Sequence, residues 1–216
     1  MFIMLRQKIN FLLVASVVCL SSCDGIYDDP SQRIVDDESA NKFSYVDATA
    51  YEKWVYIDFE SHHTVTLLCD DTVGIPDKWD MALHRYDVKT NDGKTLETRY
   101  EQIDSLLADI AGSKYVLPET AAMVADVADS VTVDMSTMMT DGLIKRTASM
   151  VNKEIGKWLN VNTSTMPPVY TPSNKVYLLR LADGRYVAVR FTEFANPNMH
   201  NIKGYISFEF RYIDNN

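Results

Sequence analysis

The sequence predicts a mainly β protein, one β-rich domain with a few short helices. Three observations carry this. Twelve Tyr, eight Phe and three Trp stand among 216 residues, with β-branched residues throughout, a composition that suits pleated, half-buried surfaces. Several short segments alternate apolar and polar residues, the period of a strand. Turn-forming stretches, Asn91-Asp92-Gly93 and Asp183-Gly184, punctuate them and supply the positive φ of tight turns.

Taken in order, Trp54 to Phe59 predicts a strand with Val55, Ile57 and Phe59 on one face, and Val65 to Cys69 predicts the next. Trp79 to Gly93 reads W-D-M-A-L-H-R-Y-D-V-K-T-N-D-G. Trp79, Met81, Leu83 and Arg85 alternate there with Asp80, Ala82, His84 and Tyr86, which predicts one strand running into a turn, anchored in the core by Trp79. Ile103, Leu106, Leu107 and Ile110 predict a short helix ended by Gly112. Ser130 to Met135 predicts a strand with Val131, Val133 and Met135 inward. The spacing of Ile144, Ala148, Val151, Ile155 and Leu159 predicts a helix of about four turns over 143–159. Asn160 to Pro172 reads as a loop stiffened by prolines. Lys175 to Leu181 and Arg185 to Phe194 form a predicted hairpin, and Gly204 to Tyr212 closes the chain with Ile206, Phe208, Phe210 and Tyr212 together.

The first 22 residues have a basic start, Arg6 and Lys8, and an apolar run from Ile9 to Leu20 ending in Leu20-Ser21-Ser22-Cys23. The run is short for a membrane span, and the ending is that of a bacterial lipoprotein signal. Residues 1–22 are therefore expected to be a signal peptide, with Cys23 carrying lipid and anchoring the protein without spanning the membrane. Residues 23–42 are expected to form a flexible acidic tether, and 43–216 the folded domain. Asp24, Asp28 and Asp29 resemble the acidic export tags of surface lipoproteins, a resemblance that implies a protein lipid-anchored at the outer membrane and exposed at the cell surface.

A net charge of −9 argues against nucleic acid and against electrostatic docking on anionic lipid. Beyond Cys19 and Cys23 only Cys69 remains, so the body has no internal disulfide, no zinc-type cysteine pair and no C-x-x-C-H for covalent haem attachment. Nucleophile-elbow, zinc-protease and phosphate-loop motifs are missing, so no enzyme is expected. The adjacent pair His62-His63 points to opposite faces of a strand and makes a poor metal site. Methionine is ordinarily a filler of cores. Met138, Met139 and Met166 instead lie in polar loop sequence, and a thioether can ligate haem iron axially.

The chain resembles the HmuY-like haem-binding lipoproteins, with which anaerobic bacteria capture haem at their surface. The residues carrying the resemblance are the W-D-M-A-L-H-R-Y-D-V stretch, Trp158-Leu159, the loop leading to Tyr170, Val176-Tyr177-Leu178-Leu179-Arg180, Ala182-Asp183-Gly184 and Gly204-Tyr205-Ile206-Ser207-Phe208. Lys94 to Ala128 matches poorly. In the best-known member two histidines grip haem, on loops matching Ser136 to Leu143 and Asn160 to Tyr170. This sequence has no histidine in either loop and keeps methionines there, as other relatives do. The resemblance thus implies an HmuY-like domain that binds haem b (iron protoporphyrin IX) non-covalently. Its axial ligands are expected to be Met139 and Met166, with Met138 as the alternative. Met139 is preferred on the premise that the alternation of Val131, Val133 and Met135 continues. The resemblance also implies delivery to a TonB-dependent outer-membrane haem receptor, with host haemoproteins as a further partner. His62, His63, His84 and His200 are expected to stay off the iron. Two readings from other classes stay open: a surface lipoprotein that binds protein or glycan without haem, and an enzyme assembled from distant residues.

Overall fold

A computed structural model describes residues 41–213. The expected signal peptide, Cys23 and nearly all of the expected tether lie outside the described residues. The chain runs through β1 (Lys42–Asp47), β2 (Lys53–Asp58), β3 (His63–Leu68), β4 (Met81–His84), β5 (Asp87–Thr90) and β6 (Lys94–Glu97) to helix α1 (Ile103–Ala111). Then follow β7 (Val124–Ala125), β8 (Val127–Asp134), the one-turn helix α2 (Met138–Asp141) and β9 (Lys145–Val151). A short 3-10 helix (Ile155–Trp158) leads to β10 (Leu159–Asn162), β11 (Val169–Pro172), β12 (Val176–Arg180), β13 (Tyr186–Asn196) and β14 (Ile202–Ile213). No helix among the described residues is long and apolar enough to cross a membrane.

Two antiparallel sheets stack face to face. One has six strands in the order β1-β14-β13-β12-β6-β7, the other four in the order β3-β2-β4-β5. Strand alternation sorts the side chains between layers. Val55, Ile57, Met81, Leu83 and Val88 of the smaller sheet meet Tyr177, Leu179, Val187, Val189, Phe208 and Phe210 of the larger, forming the main core. The intervening residues of β12 and β13, Val176, Leu178 and Ala188, face the opposite way and receive Ile103 and Leu106 of α1. Trp54, Tyr56 and Ala82, on the outer face of the smaller sheet, receive Val131 and Val151 of the β8–β9 hairpin. Each fully buried Leu, Ile or Phe stabilises this stack by roughly 1.5–3 kcal/mol.

The structure corrects four expectations. Trp79 to Gly93 is a hairpin and not one strand: β4 pairs with β5 from Met81↔Thr90 to His84↔Asp87, and Arg85 turns the chain at φ 53°. Leu83 and Val88 pair side by side, so both point into the main core although they differ in phase along the sequence. Trp79 precedes the first strand and is half-buried, its ring edge-on to Tyr56 at 5.0 Å, while Trp54 and Trp158 are the buried tryptophans. The helix expected over 143–159 is β9 followed by the 3-10 turn. Ile144 and Ala148 of its supposed stripe are exposed, and Val127↔Val151 to Thr132↔Arg146 pairing with β8 supplies the backbone partners that a helix would find internally. The loop over 160–172 is mostly a hairpin, β10 paired with β11 from Leu159↔Pro172 to Asn162↔Val169.

Candidate functional site

The sheet stack anchors two hairpins at their roots and leaves their tips free. The first is β8–β9. Its root is tied by Asn152, which is buried. The backbone N–H of Asn152 donates to the Val88 carbonyl at 2.7 Å. Its side-chain oxygen accepts from the Thr95 hydroxyl at 2.5 Å and from the N–H groups of Glu154 and Ile155, both at 3.1 Å. Its amide nitrogen donates to the Val124 carbonyl at 3.1 Å and to Asp126 at 2.9 Å. Burial raises the Asp126 carboxyl above its usual range, against the hydrogen bonds it accepts from Thr90 and Asn152.

At the other end the first hairpin is clasped by Asp134. This carboxylate accepts from the Ser136 N–H at 2.8 Å and from Lys145 Nζ at 2.9 Å. The Ser136 bonds first, then Lys145, hold it well below the usual carboxylate range. Beyond the clasp lies α2, closed by Gly142 in the left-handed region at φ 68°. Met138 is half-buried, Met139 is 81% exposed, and Leu143 and Ile144 follow at 63% and 44%.

The second hairpin, β10–β11, is rooted by aromatic packing. Trp158 stacks on Phe191 at 4.5 Å and donates from Nε1 to the Tyr86 carbonyl at 3.0 Å. Tyr170 packs on Phe194 at 5.0 Å. At the tip the Asn162 side chain accepts from the Ser164 N–H and hydroxyl at 2.9 and 2.6 Å, and Met166 precedes a cis proline, Pro167. Met166 is 78% exposed and Val169 51%. Between the two roots lies a cavity of about 320 Å³, lined by Tyr86, Val88, Val151, Lys153, Lys157 and Val161 among others.

The sequence-predicted methionines thus sit at the ends of two hairpins whose roots share one cavity. The premise for preferring Met139 fails, since the alternation stops at Asp134 and α2 begins at Met138. Exposure is what now distinguishes the two. Leu143, Ile144 and Val169 escaped the sequence reading because the first two were absorbed into the expected helix. Asn152 carries no sequence signal; only the fold brings Thr95, Val124 and Asp126 to it.

The four histidines lie elsewhere. His84 is buried, its Nε2 2.6 Å from the Tyr51 carbonyl and its Nδ1 3.3 Å from Asp87. Both partners are acceptors, so each ring nitrogen donates and the ring is an imidazolium. Burial pulls its pKa down, but the bonds to Asp87, Cys69 and Tyr51 outweigh that and push it up to about 9. His62 stacks on Phe43 at 4.9 Å. His63 opens β3 on an exposed face, and His200 lies in the turn before β14.

Comparison with known proteins bears on this arrangement. No functionally curated protein matches the chain. A Bacteroides vulgatus protein whose crystal structure names it as a candidate HmuY-like heme binding protein is 41% identical with a TM-score of 0.68, over 81% of this chain and 93% of that one. A Bacteroides fragilis structure named as a candidate lipoprotein is 39% identical with a TM-score of 0.68, over 83% and 94%. The apo HmuY analog of Tannerella forsythia shares the fold at 23% identity and a TM-score of 0.64, over 80% and 95%. The family model described as HmuY protein matches residues 50–210, a span that takes in both hairpins, the smaller sheet and all of the larger one except β1 and the end of β14, and the chain belongs to the HmuY family.

Proposed function

We propose that this protein captures haem b non-covalently between the two hairpin tips, with Met139 and Met166 as axial ligands and Met138 as the alternative to Met139. One observation carries the reading. Two thioethers stand exposed at the tips of separate hairpins whose roots share a cavity, in a chain of the HmuY family. Neither side chain serves the core, and a neutral, soft sulfur donor suits haem iron, ferrous more than ferric. The chain has no C-x-x-C-H for a covalent link. The B. vulgatus relative, named as a candidate heme binding protein, points the same way.

The cargo is then released to a TonB-dependent outer-membrane receptor, host haemoproteins serving as one source. Lipid on Cys23 holds the protein at the outer membrane, facing outward, with residues 1–22 removed and 23–42 as tether to the domain at 43–216. Its role is that of a binding protein and not an enzyme. Titrating the purified domain with haem under reducing and oxidising conditions tests this: a saturable Soret band is expected, tighter in the reduced state. A lipoprotein that binds only protein or glycan gives no such band.

A further inference from the structure

Away from the hairpin tips, one lysine is enclosed by aromatic rings. Lys89 lies on the outer face of the smaller sheet, in register with Ala82 of β4, which in turn pairs with Tyr56 of β2. Ala82 is too small to stand in the way, so the lysine stem crosses it and Nζ donates to the Tyr56 hydroxyl at 2.9 Å. Nζ also lies 4.4 Å from the ring centre of Trp54, 4.6 Å from that of Tyr56 and 5.7 Å from that of Trp79. Val131 and Val151 of the β8–β9 hairpin pack on the same cluster. No carboxylate forms an ion pair with Lys89 among the described residues. The Asp126 carboxylate is taken up by Thr90 and Asn152, and the His84 imidazolium packs on the same Trp54 ring at 5.2 Å. Burial lowers the Lys89 pKa to about 8, which Cys69 and Asp126 offset only in part. Near neutral pH a sizeable share of this amine therefore carries a free lone pair, unlike an exposed lysine with a pKa of about 10.4.

We propose that Lys89 is a covalent capture site for short uncharged aldehydes, which enter past the half-buried Trp79 and condense with Nζ to an imine. An amine desolvated among apolar groups is a nucleophile toward carbonyl carbon. Its lone pair forms the N–C bond while the C=O electrons move to oxygen. Both amine hydrogens then leave with that oxygen as water, and a C=N bond remains on Nζ. The product suits its surroundings: a neutral imine replaces an ammonium that three rings and one hydroxyl enclose, whereas an anionic adduct would be buried there with no cation beside it. The site is independent of the haem reading.

Propanal with cyanoborohydride is the probe, applied to the purified protein, with each alkylated lysine read by peptide mass spectrometry. At about pH 7.5 the initial labelling of Lys89 is expected to exceed that of the exposed Lys78 and Lys114 by at least about tenfold, its larger share of free amine outweighing a lower intrinsic nucleophilicity. The Lys89 rate should level off above about pH 8–9, while theirs climbs through about pH 10. Denaturing urea should abolish the lead, because the enclosure creates it. Glyoxylate, whose carboxylate the aromatic walls exclude, should show no lead either. Labelling of Lys89 no faster than of Lys114 in the folded protein, or a lead that survives in urea, overturns the proposal. A lead kept with glyoxylate overturns the assignment to uncharged aldehydes.

Discussion

The Thr95 hydroxyl donates to the side-chain oxygen of Asn152 across 2.5 Å, and both residues are buried. Through this bond strand β6 of the large sheet is tied to the root of the hairpin that carries Met139. Asn152→Ala strands the Thr95 hydroxyl, the N–H groups of Glu154 and Ile155 and the Val124 carbonyl at once. Buried groups left unsatisfied cost about 1–3 kcal/mol each, partly relieved by relaxation, so a net loss of about 3 kcal/mol is expected in urea denaturation. A loss below about 1 kcal/mol would show that the root is held by other means.

The buried imidazolium of His84 makes stability depend on pH. Its pKa is about 9 in the folded protein and about 6.5 when unfolded. A raised pKa contributes stability that is complete below about 6.5 and lost as pH rises through about 9, on the order of 2–3 kcal/mol in all. Lys89 opposes this at the alkaline end, because burial lowers its pKa to about 8 and its contribution improves with rising pH above that. The difference between parent and His84→Gln therefore isolates the histidine. That difference should shrink steadily from pH 6.5 to 9.5 in thermal melts; a constant difference contradicts the assignment.

Trp158 and Trp79 should behave differently on truncation. Trp158 is buried against Phe191 and bonded to Tyr86, so Trp158→Ala is expected to cost about 3–5 kcal/mol. Trp79 is half-buried at the rim of the outer cluster and should cost clearly less. Equal losses in denaturation would mean that rim packing is worth as much as the core.

Cys23→Ala should move the protein from the membrane fraction to the soluble one, because the apolar run ending in Leu-Ser-Ser-Cys is read as a lipidation signal. Continued incorporation of labelled lipid into that variant contradicts the reading.

Strands whose apolar residues alternate were legible in the sequence. Val55, Ile57 and Phe59 share the main core as expected, as do Ile206, Phe208 and Phe210, and α1 ends at Gly112. Two errors had the same origin, a periodicity taken without asking what the segment pairs with. Val88 is out of phase with Met81 and Leu83, which was a visible sign of the turn at Arg85-Tyr86, yet that turn lacks the expected Gly or Asn. The stripe from Ile144 to Leu159 matched helical spacing by coincidence, since β9 is fixed by pairing with β8, a long-range relation that no local period reports. At the site, the methionines stood out because polar loop sequence surrounds them. The root at Asn152 and the cavity between the hairpins are products of topology alone.

The central claim is thioether ligation, and a haem titration of parent, Met139→Ala and Met166→Ala in both oxidation states tests it most directly. The parent should bind ferrous haem more tightly than ferric. Each variant should weaken ferrous binding and shift the Soret band, whereas His62→Ala, His63→Ala and His200→Ala should leave the spectrum unchanged. Equal affinity in both oxidation states, with unaltered spectra in both methionine variants, would contradict it.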